Sequence, residues 1–89
     1  MSRWHGITPT QARAARAGLS LSADELSTNS GVSRNTISRL ERNVPIGQRS
    51  AVALRKFFEA RGVRFPDDSL IDSDQIGTDR LVSLIAFPR

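Results

Sequence analysis

Ten residues, Ser33 to Arg42, reading SRNTISRLER and preceded by Ser30-Gly31-Val32, constrain this chain more than any other stretch. Ser33 is suited to an N-cap, since its hydroxyl can accept a hydrogen bond from the orphan backbone N–H of Asn35 or Thr36. Ile37, Leu40 and Glu41 then fall on one face, because residues three and four apart share a side of an α-helix. Arg34, Asn35, Ser38 and Arg39 point elsewhere. Arg forks onto guanine O6 and N7, and Asn pairs in the same bidentate way with adenine N6 and N7, so these side chains suit base edges.

The residues on either side fix where this helix sits. Thr8-Pro9-Thr10-Gln11 reads as a helix start, with Thr8 as N-cap, Pro9 at the first helical position and Gln11 completing a capping box. Ile7 supplies the apolar half of a staple. The spacing predicts a helix over about 9–17, with Gly18 as its left-handed C-terminal residue and Ala12, Ala15 and Leu19 facing inward. Ser22 and Glu25 repeat the capping box, Asp24 and Glu25 complement the helix dipole, and a second helix is expected over about 23–29, anchored by Leu21 and Leu26. Gly31 is free to take positive φ, giving a short Gly-containing turn between two short helices. Asn43 caps the Ser33 helix and Pro45 prevents its continuation. A last helix is predicted from Gln48 to Arg61, where Ala51, Leu54, Phe58 and Arg61 form a stripe with Phe57 off to one side.

With 89 residues the chain is expected to form one small domain, a size that favours a binding module over an enzyme. It has no cysteine and one histidine, His5, so neither a disulfide framework nor a thiolate zinc site can form and no metal or cofactor is expected. No nucleophile–base pair or phosphate-cradling glycine loop is present, and the chain is not expected to be an enzyme. No apolar run approaches the ~20 residues that span a bilayer, and a cytoplasmic protein is expected, associated with the nucleoid through DNA. The charge is unevenly placed: residues 1–64 carry 11 Lys and Arg against 4 Asp and Glu, whereas 65–89 carry 2 against 5. Lys56 is the one lysine among 13 cations, a bias suited to bidentate recognition of phosphate or guanine.

After Gly62 the character changes to Val-Arg-Phe-Pro, an acidic turn-rich stretch, and the apolar run Leu81–Phe87. That run has strand length and β-branched content, and strand is preferred over a short buried helix. Residues 63–65 and 81–87 can pair as a hairpin, or each can pair with its copy in a second subunit. An isolated two-stranded ribbon is only marginally stable, which favours packing on the last helix or pairing across a dimer. Phe57, Phe65, Leu81, Val82, Leu84, Ile85 and Phe87 are the candidate dimer contacts, the alternative being that several close the monomer core.

At these residues the chain resembles the Cro/C1-type helix-turn-helix regulators, the lambda-repressor-like (XRE) family of small phage, plasmid and mobile-element proteins. Gln11 and Arg13 in QARAARAGLSLS, Leu26 before the turn, SGVSRNTISRLER at 30–42 and GVRF at 62–65 carry the likeness, which covers about 8–65. It implies an all-α lambda-repressor-like domain of four to five helices over 8–62; residues 1–7 read as an N-terminal arm and 63–89 as an extension with a short β-strand or hairpin, for which the likeness implies no function. It further implies a homodimer on an inverted-repeat operator in double-stranded DNA, with the helix over about 33–42 in the major groove. On that likeness Arg34, Asn35, Thr36, Ser38 and Arg39 read bases, Ser22, Ser33, Asn43 and Arg49 contact phosphates, and Arg16 pairs with Glu41 as a structural salt bridge. Where the family commonly opens the helix before the turn with Gln, this chain has Ala23. An antitoxin or other protein-interaction module on the same scaffold is the alternative, with the apolar extension as the surface for a protein partner.

Overall fold

The structure, a computed structural model, describes residues 6–65 and 85–88. The expectations for Leu81, Val82 and Leu84, and for residues 1–5 of the arm, lie outside them. Among the described residues four helices follow in order: α1 (Pro9–Gly18), α2 (Ala23–Ser30), α3 (Arg34–Glu41) and α4 (Gln48–Ala60). α3 packs on α1 and α2, and α4 packs on α2.

Each of the first three helices starts where its local chemistry dictates. The Gln11 N–H donates to Thr8 Oγ1 at 3.1 Å while the Thr8 N–H donates to Gln11 Oε1 at 2.9 Å. Ser22 and Glu25 exchange the same pair of bonds at 3.0 and 2.9 Å. Ser33 accepts from the Thr36 N–H at 3.1 Å. α4 starts at Gly47 with no side-chain cap, so tertiary packing carries more of its stability.

The helix ends depart from expectation at one place. Gly18 was the expected left-handed residue of α1, but the helix runs through it and the left-handed residue is Ser20, at φ 56°. There the Leu21 N–H donates to the Arg16 carbonyl and the Ser20 N–H to the Ala17 carbonyl, the paired closure of a Schellman motif. α3 closes the same way on Asn43 (φ 66°), and α4 on Gly62 (φ 88°). Gly18 serves another purpose: a Cβ there would run into the ring of Phe87, so the missing side chain is the seat for that ring.

Phe58, Leu26, Leu40 and Leu54 are wholly buried at the centre, with Ile7, Ile37, Ala51 and Val63 within a percent of it. Burying each large member contributes about 1.5–3 kcal/mol. On α1 the buried alanines are Ala12, Ala14 and Ala15, beside Pro9, Thr10 and Gln11 of its first turn, with Leu19 half-buried; Ala14, not expected inside, is covered because the alanine helix lies close to its neighbours. On α4 the stripe is Ala51, Leu54 and Phe58, while Arg61 lies outside the core, its guanidinium 4.9 Å from the centre of the Phe57 ring. Arg55 donates to the Gly6 carbonyl at 2.9 Å and lies 5.1 Å from the Phe65 ring centre, joining the start of the described chain to α4.

Among the described residues there is no strand. Arg64 and Ala86 form one antiparallel bridge, with backbone bonds of 2.8 and 2.9 Å in the two directions. It places Ile85 in the monomer core at 4% exposure and leaves Phe65 and Phe87 half-buried against that core.

Candidate nucleic-acid interface

α3 is held from two sides. Ile37 and Leu40 anchor it in the core, while Arg16 of α1 grips its last residue: Arg16 Nε donates to Glu41 Oε2 and Nη2 to Glu41 Oε1, both at 2.8 Å. The hydrogen bond to Glu41 raises the Arg16 pKa, outweighing the opposite push of partial burial. Arg13, which sequence reasoning did not place here, donates through Nη1 to the Glu41 carbonyl at 2.6 Å. A cation on the last carbonyls of a helix is where the helix dipole favours it.

The opposite face of α3 is open. Arg34, Asn35 and Arg39 are exposed, and Thr36 and Ser38 are half-buried. Arg34 lies in a defined position: its Nε donates to Asp24 Oδ1 of α2 at 2.9 Å and its Nη1 to Ser38 Oγ at 2.5 Å. The Ser33 hydroxyl donates to Thr36 Oγ1 at 2.8 Å, which leaves the Thr36 hydroxyl proton available.

An open cavity of about 470 Å³ lies where α1, α2 and α3 meet, lined by Arg13, Arg16, Ala23, Arg34, Asn35, Ile37, Ser38, Glu41 and Arg42. It brings together three of the five expected base readers. Thr36 and Arg39 share their helix without lining it. The cavity lining carries four arginines, and Glu41 among them is engaged by Arg16, so the surface favours a polyanion.

Of the expected phosphate contacts, Ser22, Ser33 and Asn43 are exposed at helix termini, and the first two have hydroxyls already engaged in capping. Arg49, in the first turn of α4, borders a separate groove with Gln48, Val52, Ala53 and Lys56. Arg42 was missed by sequence reasoning: exposed just past α3, it donates through Nε to the Ser38 carbonyl at 3.3 Å and reaches the cavity. The excess of arginine in this stretch was the available signal. Asp24, read as a complement to the helix dipole, has a second relationship with Arg34 that no sequence spacing reveals.

Two capped helices joined through left-handed Gly31, the second showing a basic polar face away from the core, define a DNA-binding helix-turn-helix unit. A profile of the helix-turn-helix family matches residues 13–61, more than half of the chain, and the chain belongs to that family, in its Cro/C1 type. Comparison with curated proteins and with solved structures gave no match. No helix among the described residues is long and apolar enough to cross a membrane.

Proposed function

We propose that this protein is a transcriptional regulator of the phage or mobile-element type that binds an inverted-repeat operator as a homodimer, acting in the cytoplasm on the nucleoid. α3 enters the major groove, where Arg34, Asn35, Thr36, Ser38 and Arg39 meet base edges. Ser22, Ser33, Asn43 and Arg49 meet the flanking phosphates. The observation that carries this reading is the exposed Arg34–Asn35 pair at the start of a helix whose far end is clamped by Arg16 on Glu41. Such a clamp holds the reading face at a fixed angle, which base recognition needs.

The test is selection of duplexes from a random library by the full chain, followed by footprinting of an enriched duplex. Two protected half-sites about 34 Å apart, related by a two-fold axis, are expected. Enrichment of no sequence at low salt, or protection of a single half-site, counts against the reading. A second reading, an antitoxin or protein-interaction module, draws on the α4 groove between Arg49 and Lys56, which shows Val52 and Ala53 to solvent. Co-purification of a small protein partner that leaves α3 accessible to DNA favours it.

A further inference from the structure

We propose that Asp24 is a specificity-determining residue that presents Arg34 to guanine in one orientation, an inference that rests on the reading of Arg34 as a base contact. A guanidinium has five N–H donors and can meet a guanine either side-on, through Nε and Nη2, or end-on, through Nη1 and Nη2. Asp24 takes the Nε donor at 2.9 Å and so closes the side-on edge. Ser38, one turn further along α3, takes one Nη1 donor at 2.5 Å. Among the described residues no other hydrogen bond engages the two Nη2 donors or the second Nη1 donor, which are enough for an end-on fork. The side chain is thus fixed at two points before any base arrives, and less rotamer freedom is lost when it binds.

Among the described residues Asp24 is the carboxylate that meets Arg34. Glu41 is engaged by Arg16, and Glu25 closes the capping box with Ser22. A first-turn acid for the dipole of α2 is already supplied by Glu25, so that need does not account for Asp24 by itself. In the free chain the pair is exposed, at 53% for Arg34 and 85% for Asp24, and stabilises the fold little. Against DNA the groove excludes water and the same pair tightens, while the carboxylate repels nearby phosphates. The first effect acts at one base pair and the second on every duplex alike, which makes the role measurable.

The experiment uses the full chain, a duplex enriched by the wild type from a random library, its single G·C to A·T variants, and an unrelated duplex of equal length. Asp24→Asn keeps the shape and a hydrogen-bond acceptor; Asp24→Ser, also at home in a first turn, repeats the comparison if the amide disturbs α2. The expected result is a loss of about three- to tenfold in preference for the one guanine whose preference Arg34→Lys abolishes, together with tighter binding to the unrelated duplex. In the Arg34→Lys background Asp24→Asn should cost no further preference. Equal tightening on enriched and unrelated duplexes, with preference intact, overturns the inference and leaves Asp24 a repulsive charge. If Arg34→Lys leaves every preference unchanged, or no sequence is enriched, the base-reading role of Arg34 fails first and this inference falls with it.

Discussion

Arg16 and Glu41 lie on different helices and meet through Nε and Nη2 along one edge of the guanidinium, with side-chain exposures of 28% and 13%. That burial puts the pair between an exposed ion pair, worth about 0–1 kcal/mol, and a fully buried one, whose breakage costs about 3–5 kcal/mol. Arg16→Ala and Glu41→Ala should each destabilise the fold by roughly 1–3 kcal/mol in urea denaturation. The double variant should cost less than the sum, because the second change removes a charge the first left stranded. Arg16→Lys should restore only part of the loss, since an ammonium cannot meet both carboxylate oxygens in a fork.

Acid should weaken the start of α2. Glu25 is held below its ordinary value of 4.5 first by the Ser22 backbone N–H and then by the Ser22 side chain. A lowered folded-state value means that the unfolded chain binds more protons in the window just below the ordinary value. The contribution is therefore complete above that value and is lost as pH falls through the folded one. Glu25→Gln, the residue type that closes the box on α1, should flatten this part of the acid limb in chemical denaturation followed across that window. An unchanged limb would show that the box does not hold Glu25 ionised.

Gly18→Ala sets two effects against each other. In a helix the change ordinarily stabilises by about 0.5–1 kcal/mol. Here the new Cβ meets the Phe87 ring, so the ring must swing out and lose its packing, an overpacking cost of about 1–3 kcal/mol. Net destabilisation is expected in the wild type and stabilisation in a Phe87→Ala background. A cycle with no coupling would place the Phe87 ring elsewhere in solution.

Ser20 and Gly62 occupy the same position in the same motif with opposite chemistry. Ser20→Gly relieves a left-handed residue that has a Cβ and should stabilise by up to about 1 kcal/mol. Gly62→Ala imposes that strain at φ 88° and sets a Cβ 3.1 Å from Pro88 Cβ, so a loss of about 1–2 kcal/mol is expected. Thermal melts of the two variants should move in opposite directions.

On DNA, Arg34→Ala should cost roughly 1–3 kcal/mol on an enriched duplex and relax preference at one base pair. Arg49→Ala should weaken all duplexes alike and lower the salt slope by about one. Titrations at several salt concentrations separate the two. Identical behaviour would remove the division between base and phosphate contacts.

The sequence by itself determined what is decided within a turn or two of chain. Thr8 with Gln11, Ser22 with Glu25, Gly31, Ser33 and Asn43 each settle a helix terminus through bonds to residues three to five away, so their roles are readable from order alone. The polar face of α3 follows from the same periodicity, once Ile37 and Leu40 are assigned inward. Only the tertiary structure decided the rest. Gly18 looked like a cap because glycine near a helix end usually is one, but its place is set by an aromatic ring from the far end of the chain, and the helix closes on Ser20 instead. Asp24 looked like a dipole complement until the turn at Gly31 brought α3 back across α2 and set its carboxylate on Arg34. The bridge between Arg64 and Ala86 joins residues that no local pattern pairs, and it is that bridge that puts Ile85 in the core. Contacts between distant residues depend on how helices pack against one another, and packing follows from the shape of the whole buried set, which no single stretch of sequence contains.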